Sequence, residues 1–290
     1  MDQDTLKAHP YHGKDAVLST KHGKERAVAS PLMEAVGIRL CVPHNLDTDA
    51  LGTFTGDIPR VGTVLEVALR KARLGMAATG LPIGLASEGS FGPHPAVGWM
   101  PADAETLLFV DDEMGIQVSE SILSQTTNFA YETCVDADEL DQWLHKVHFP
   151  SHGLFVRPNS GLQPNLLFKG LTSRMALREA VKRCAQASAD GSAHVETDMR
   201  AHMNPTRLQV IAELAQRLGR RLATPCPECG TPGWGLVGVA PGLPCELCGL
   251  PTDGVREEIH GCPRCPLRQQ RPRSDGKRAA YAGDCKWCNP

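Results

Sequence analysis

The sequence predicts an α/β protein: a mixed-sheet core domain with flanking helices, followed by a small C-terminal double zinc-ribbon module. Three observations predict it. Short apolar runs alternate with amphipathic helical stretches as far as Leu222. Beyond Thr224-Pro225, eight of the eleven cysteines form four Cys-x-x-Cys pairs: Cys226/Cys229, Cys245/Cys248, Cys262/Cys265 and Cys285/Cys288. The 290 residues suffice for one sizeable core plus a minor module, and 41% apolar with 22% charged residues describes an ordinary globular composition. The expected domains are residues 1–222 and 223–290.

Residues 1–14 read as a loose leader. Ala16 to Ser19 is a short buried strand running into Thr20-Lys21-His22-Gly23-Lys24-Glu25. Residues 25–37 follow as a helix closed by glycine, and Ile38 to Val42 as a strand. The polar stretch Asp47 to Gly62 precedes a helix from Val64 to Met76, with Val64, Val67, Ala68 and Leu74 at helical spacing. Leu81 to Ala86 is an apolar strand ending in Glu88-Gly89-Ser90-Phe91-Gly92-Pro93. Leu107 to Val110 and Gly115 to Ser119 pair around a solvated turn at Asp111-Asp112-Glu113. Asp136 to Val147 is a helix capped by Asp136 or Asp138, and Gly153 to Arg157 a strand. Thr172 to Ala187 and Pro205 to Leu222 are helices, the last with proline in its first turn. The run Glu196-x-Asp198-x-Arg200-x-His202-x-Asn204 has the period of one strand face, and Arg200, His202 and Arg207 beside a helix N-terminus suit an anion; a charged linker is the competing reading.

Two residues between thiols let both sulfurs grip one ion from a tight turn. Zn²⁺ takes four soft ligands, so four pairs make two closed, structural sites. The intervals of 15 residues (Cys229 to Cys245) and 19 residues (Cys265 to Cys285) favour sequential pairing, first pair with second and third with fourth. Interleaved pairing, which gives a cross-braced unit, is the other arrangement. A disulfide framework and a redox dithiol are the rival chemistries. Against the disulfides, Met1 to Lys14 lacks the apolar core of a signal peptide, and Cys41, Cys134 and Cys184 stand alone, as thiols can in a reducing compartment. No run approaches the ~20 apolar residues of a membrane span, so a cytoplasmic protein without membrane association is expected.

The net charge of −3 hides an asymmetry: residues 220–290 hold ten Lys/Arg against seven Asp/Glu. Arg264, Arg268, Arg271, Arg273, Lys277 and Arg278 form a basic run, read either as solvated surface or as a contact for nucleic acid.

Ligands of open α/β sheets bind outside the carboxyl ends of the strands. There the first strand delivers Lys21, His22, Lys24 and Glu25, and the strand ending at Ala86 delivers Glu88 with Gly89, Ser90 and Gly92. The helix between them carries Glu66 and Lys71. Carboxylates hold Mg²⁺ through hard oxygens, lysines neutralise phosphate oxygens, and glycines admit an anion to the backbone. Asp47-Thr48-Asp49 is a further carboxylate pair, with a polar turn as its plain reading. His148 and His152 are acid/base candidates or structural histidines.

Thr20-x-His22-Gly23-Lys24-Glu25, Glu66-x-Ala68-x-x-Lys71-Ala72 and Ala86-x-Glu88-Gly89 occur in an order that resembles inosine/xanthosine triphosphate pyrophosphatases, over roughly residues 16–188. Thr172-Ser173-Arg174-Met175-Ala176-Leu177 echoes a later segment of that family. His22 replaces an Asn of the family pattern, the loop before Lys24 is one residue shorter, and Gly52 to Asp57 resembles an insertion. The resemblance implies Mg²⁺-assisted hydrolysis of a nucleoside triphosphate to monophosphate and pyrophosphate. Glu66 and Glu88 would hold the metal, Lys24 and Lys71 would bind phosphates with His22 beside them, and Lys21, Gly23, Gly89 and Ser90 would complete the phosphate site. The whole chain also resembles a bacterial family of uncharacterised function with an eight-cysteine tail. The other function classes are a non-catalytic zinc-ribbon protein that binds nucleic acid or a protein partner, and an RNA-modifying enzyme. A homo-oligomer paired through the tail is a further expectation.

Overall fold

The computed structural model describes residues 7–43, 46, 62–161 and 163–290. Asp47-Thr48-Asp49 and the stretch Gly52 to Asp57 lie outside the described residues.

In chain order the first part runs β1 (Asp15–Ser19), α1 (Glu25–Val36), β2 (Arg39–Cys41), α2 (Val64–Thr79), β3 (Ile83–His94), β4 (Val97–Asp111) and β5 (Ile116–Ser124). The second comprises β6 (Tyr131–Cys134), α3 (Asp141–Lys146), β7 (Leu154–Pro158), β8 (Phe168–Leu171), α4 (Arg174–Ala187), β9 (Ala193–Thr197) and α5 (Pro205–Leu222). The tail contributes β10 (Gly235–Pro241), β11 (Val255–Gly261) and β12 (Arg268–Pro272). The result is a mixed α/β architecture with two four-cysteine clusters near the C-terminus.

The large sheet has the order β2-β1-β3-β4-β5. β1 lies parallel to both β2 and β3, and β3, β4 and β5 run antiparallel. Both faces of β1 are covered, so it reads as an unbroken apolar run rather than an alternation. Leu18, Leu85, Leu107 and Phe109 pack against Val28 and Leu32 of α1 and Ile211 and Leu214 of α5. Val17, Ala86 and Leu108 pack on the opposite face against Ala68, Ala72 and Met76 of α2. α1 and α2 thus flank the sheet from opposite sides, and the chain reverses direction across the sheet at β1. That makes the carboxyl end of β1 a topological switch point.

Both helix ends of α2 are written in sequence. Thr63 and Glu66 form a reciprocal capping box at the start, and Gly80 closes the other end with φ of 70°.

A second, antiparallel sheet of order β6-β9-β7-β8 buries Leu154, Val156 and Val195 against Leu177, Val181 and Cys184 of α4. Among the described residues, no helix is long and apolar enough to cross a membrane.

Several elements differ from expectation. β3 and β4 continue far beyond their apolar centres because their pairing holds in register from Ile83↔Asp111 to Pro93↔Pro101, polar residues included. The helix expected over 136–147 is a 3₁₀ turn, Ala137–Leu140, capped by Asp136, followed by α3. The period-2 run starting at Glu196 leaves the strand after Thr197, and Ala201–Met203 is a 3₁₀ turn, so its five polar residues do not share a strand face. The leader is anchored at Tyr11, which is fully buried, donates a 3.0 Å hydrogen bond to Asp111 and meets Phe109 edge-on. Asp111 is accordingly buried, and its other oxygen accepts from the amides of Glu113 and Met114, where a solvated turn was expected.

Candidate functional site: two thiol clusters and a buried charge cluster

The cysteines assemble as Cys226, Cys229, Cys262 and Cys265 in one group and Cys245, Cys248, Cys285 and Cys288 in the other. Pairing is therefore interleaved, first pair with third and second with fourth, and the sequential expectation is corrected. The reason lies in the three-stranded sheet β10-β11-β12. Its antiparallel crossing carries the chain from the first knuckle past the second and returns it at Gly261↔Gly235, where Cys262 meets the first pair.

Sulfur–sulfur distances include 3.7 Å (Cys226–Cys265), 3.6 Å (Cys229–Cys262), 3.9 Å (Cys245–Cys288) and 3.7 Å (Cys248–Cys285), and within each group all four sulfurs lie within 4.8 Å of one another. A tetrahedron with metal–sulfur bonds near 2.3 Å has edges of about 3.8 Å, whereas a disulfide needs about 2.05 Å. Both groups therefore fit a closed structural Zn²⁺.

The first two knuckles are the same fold written twice. Cys226 and Cys245 donate their amides to Thr231 and Leu250, and Gly230 and Gly249 donate to Cys226 and Cys245. Both glycines adopt φ near +70°, which side chains resist. The written repeat is Pro-Cys-x-x-Cys-Gly-x-Pro at Pro225 to Pro232 and Pro244 to Pro251.

The first cluster is fastened to the large sheet. Arg221, near the end of α5, donates to the Gly233 carbonyl at 3.1 Å and to the Ser119 carbonyl at 2.9 Å, and pairs with Glu120 at 2.9 Å. The basic run is partly internal. Arg268 donates to the carbonyls of Cys262, Cys265 and Leu267, Arg271 lies over the Trp234 ring, and Arg273 binds the Val255 carbonyl and Asp275.

At the switch point, charged side chains are buried on both faces of the sheet, with Lys24 between them. Pairing of β1 with β3 stops at Ser19↔Ala86, which leaves the edge of β3 open at Ser87. Lys24 fills that edge: it is buried and its ammonium donates to Ser87 Oγ at 2.7 Å and to the Ser87 carbonyl at 3.2 Å. Lys24 lies within electrostatic reach of Arg207, Glu105, Glu88 and Lys71. Lys71 pairs with Glu88 at 2.5 Å. Arg207 pairs with Glu105 at 2.6 Å, donates to the Met199 carbonyl and lies 5.0 Å over the Phe91 ring. Asp103, fully buried, joins Glu105 on the same face of β4.

Glu66 is not part of this group. Its carboxylate accepts from the Thr63 amide at 2.7 Å in the capping box and stands in solvent, which holds its pKa below the usual range. Gly89 has a packing role: a Cβ there would lie 2.4 Å from both Arg207 and Glu105, so glycine makes room for that ion pair. His22 stacks on His202 with ring centres 5.3 Å apart, and Gly23 takes φ of 72° beside it. Lys21 and Ser90 are exposed. His152 shares a 2.9 Å hydrogen bond with Thr206, a structural role.

Among the described residues, both Asp103 oxygens, Glu105 Oε2 and Ser19 Oγ are buried without a hydrogen-bond partner. Buried polar atoms left unpaired are costly, so Asp103 and Glu105, on the sheet face that carries Leu107 and Phe109, mark that face for something polar; Ser19 Oγ lies on the opposite face, toward Gly75 of α2. Also among the described residues, the two thiol sets are the only groups of three or more side chains placed to hold a metal by themselves. Asp103 and Glu105 escaped the reading of the sequence because β4 was recognised only in its apolar half; the alternation Asp103-x-Glu105-x-Leu107-x-Phe109 was the available signal, and Arg207 was named only as an anion candidate beside Arg200 and His202.

Burial and the neighbouring Glu105 raise the Asp103 pKa to about 7, and burial and Arg207 lower that of Lys24 to about 8. Between pH 4 and 7 the unfolded chain ionises Asp103 while the folded chain keeps its proton, so stability falls as pH rises through that window. Between pH 8 and 10.5 the folded chain has lost the Lys24 proton that the unfolded chain keeps, and stability rises with pH. Asp103→Asn removes the first effect. The stability advantage of the variant over wild type should be larger at pH 8 than at pH 4.5 by a few kcal/mol, measured by urea unfolding of the zinc-loaded chain.

A protein family described as "Domain of unknown function (DUF6671)" matches residues 71–290. No curated protein matches the chain.

Proposed function

The chain belongs to the DUF6671 family, whose description states no activity, so we propose its function from the geometry: a phosphoanhydride hydrolase acting on a nucleoside triphosphate or related phosphorylated ligand, with the zinc tail as a structural module. The observation that supports this best is Lys24, buried at the switch-point end of β1 within electrostatic reach of the Lys71–Glu88 pair on one face of the sheet and of the Arg207–Glu105 pair, with Asp103, on the other.

The lysines neutralise phosphate oxygens, and α1 starts at Glu25, directly after Lys24, so its positive N-terminal end lies beside that lysine. His22, Lys21 and Gly23 form the loop leading into that helix and complete the phosphate site. Asp103 and Glu105, whose orphan oxygens are hard ligands, would hold Mg²⁺, which supplies charge neutralisation on the phosphates when bound. They take the place that the resemblance to inosine/xanthosine triphosphate pyrophosphatases gives to Glu66. In the reaction a water oxygen attacks phosphorus, the phosphorus–oxygen bond to pyrophosphate breaks with pyrophosphate leaving, and the water proton is released to solvent. With Arg268, Arg271 and Arg273 engaged within the tail, a nucleic-acid contact there has less support.

The test is pyrophosphate release from a panel of nucleoside triphosphates with Mg²⁺ by the full chain. Lys24→Met should lower turnover by roughly 10²–10³-fold. Absence of release from every triphosphate, or a Lys24→Met enzyme equal to wild type, removes the proposal.

A further inference from the structure

Beside the charge cluster, on the same face of the long hairpin, lies a second site. Alternation along β4 puts Trp99, Pro101, Asp103 and Glu105 on one face, and register sets Phe91 directly opposite Asp103 and Pro93 opposite Pro101. These residues lead outward from the charges to a cavity of about 620 Å³ near the hairpin tip, walled by Phe91, Trp99, Asn128, Phe129, Tyr131 and Lys146. That volume is in the range of small-ligand pockets.

Its walls are flat rings held in place. Phe91 and Phe129 meet with centres 6.0 Å apart, and Tyr131 is stacked on His194 at 5.4 Å. Asn128 is fixed by hydrogen bonds from its amide to the Val147 carbonyl and from Asn204 to its oxygen. Trp99 is 83% exposed, a large apolar area left in water, and forms part of the cavity wall. The polar supplement is one cation, Lys146, exposed on the wall. Phe91 joins the two sites: one wall of the cavity is the ring over which the Arg207 guanidinium lies.

We infer that this cavity binds a nucleobase, stacked between aromatic side chains, while the attached phosphates extend along the hairpin toward Arg207 and Lys24. The identity of the ring rests on the phosphoanhydride reading above; the stacking itself does not. A flat ring with apolar faces and polar edges matches walls of Phe, Trp and Tyr with a fixed carboxamide and a lysine.

The experiment titrates the full zinc-loaded chain with phosphate-free nucleosides (adenosine, guanosine, inosine, uridine), read by tryptophan fluorescence and calorimetry. At least one nucleoside should quench and bind saturably. Trp99→Ala, a change at an exposed hairpin tip, should weaken it roughly tenfold or more, and Phe129→Leu should weaken it independently. No nucleoside binding to wild type, or undiminished binding in both variants, overturns the inference. Inorganic tripolyphosphate, which has no ring, separates the two readings. If it is hydrolysed in a Lys24-dependent way while nucleosides fail to bind, the hydrolase reading stands and the nucleobase site falls. If nucleosides bind through Trp99 while neither tripolyphosphate nor any nucleoside triphosphate is cleaved, the nucleobase site stands and the hydrolase reading falls.

Discussion

The double variant Cys226→Ser/Cys262→Ser is expected to lower bound zinc from two ions per chain to one, whereas Cys226→Ser/Cys245→Ser should leave none. Elemental analysis of the purified full chain reads the difference. The first variant removes two thiols from one cluster and leaves the other whole; the second removes one thiol from each. Sequential pairing would exchange the two results. Structural zinc contributes on the order of 10 kcal/mol to small thiolate folds, so the expected accompaniment is large. Loss of the first site should expose the segment from Thr224 to Trp234 to proteolysis, because Cys226, Cys262 and Trp234 form a small core of their own. Should that variant lose both ions through collapse of the tail, Cys248→Ser/Cys285→Ser, confined to the distal cluster, provides the same reading from the other side.

Arg207→Ala should destabilise the fold by roughly 3–5 kcal/mol, the cost of leaving a buried charge without its partner. Thermal unfolding is expected about 10 °C lower. Arg207 and Glu105 are 3% and 1% exposed, so solvent cannot replace the lost guanidinium. The Met199 carbonyl loses its donor as well. Adding Glu105→Gln to Arg207→Ala should restore part of the loss, since the two residues form one unit. A loss below about 1 kcal/mol in the single variant would mean that the pair is not a fixed feature. The same charge pair accounts for glycine at position 89, where a side chain would meet Arg207 and Glu105.

The fold was legible wherever local pattern and tertiary setting agreed. α5 begins at Pro205 and ends at Leu222 as its proline and apolar period indicated, and β1 was visible because burial on both faces makes it uniformly apolar. β6 and β8 were invisible for the opposite reason: they are four residues long and mostly not fully buried, so sheet partners define them more than composition does, and β9 was read only from Glu196 onward. Lys24, Lys71 and Glu88 were legible as a group because they follow strand ends or a helix in chain order. Asp103 and Glu105, and their union with Arg207, required knowledge of which strand face meets α5, which is a property of packing. The thiols announced their chemistry, but not their partners. Interval lengths measure the chain between ligands and are silent on the crossing of β10 and β11 that decides which pairs meet.

Interleaving also dictates an order of assembly during synthesis. As the chain leaves the ribosome, the first metal site cannot close until Cys265 has emerged, and by then Cys245 and Cys248 are already outside with no partners. For the interval until Cys285 and Cys288 follow, a growing chain presents six thiols to a single ion's worth of correct geometry. The hairpin from Gly235 to Gly261 must therefore form early enough to bring the outer knuckles together, and the growing tail depends on its strands to keep the wrong thiols apart.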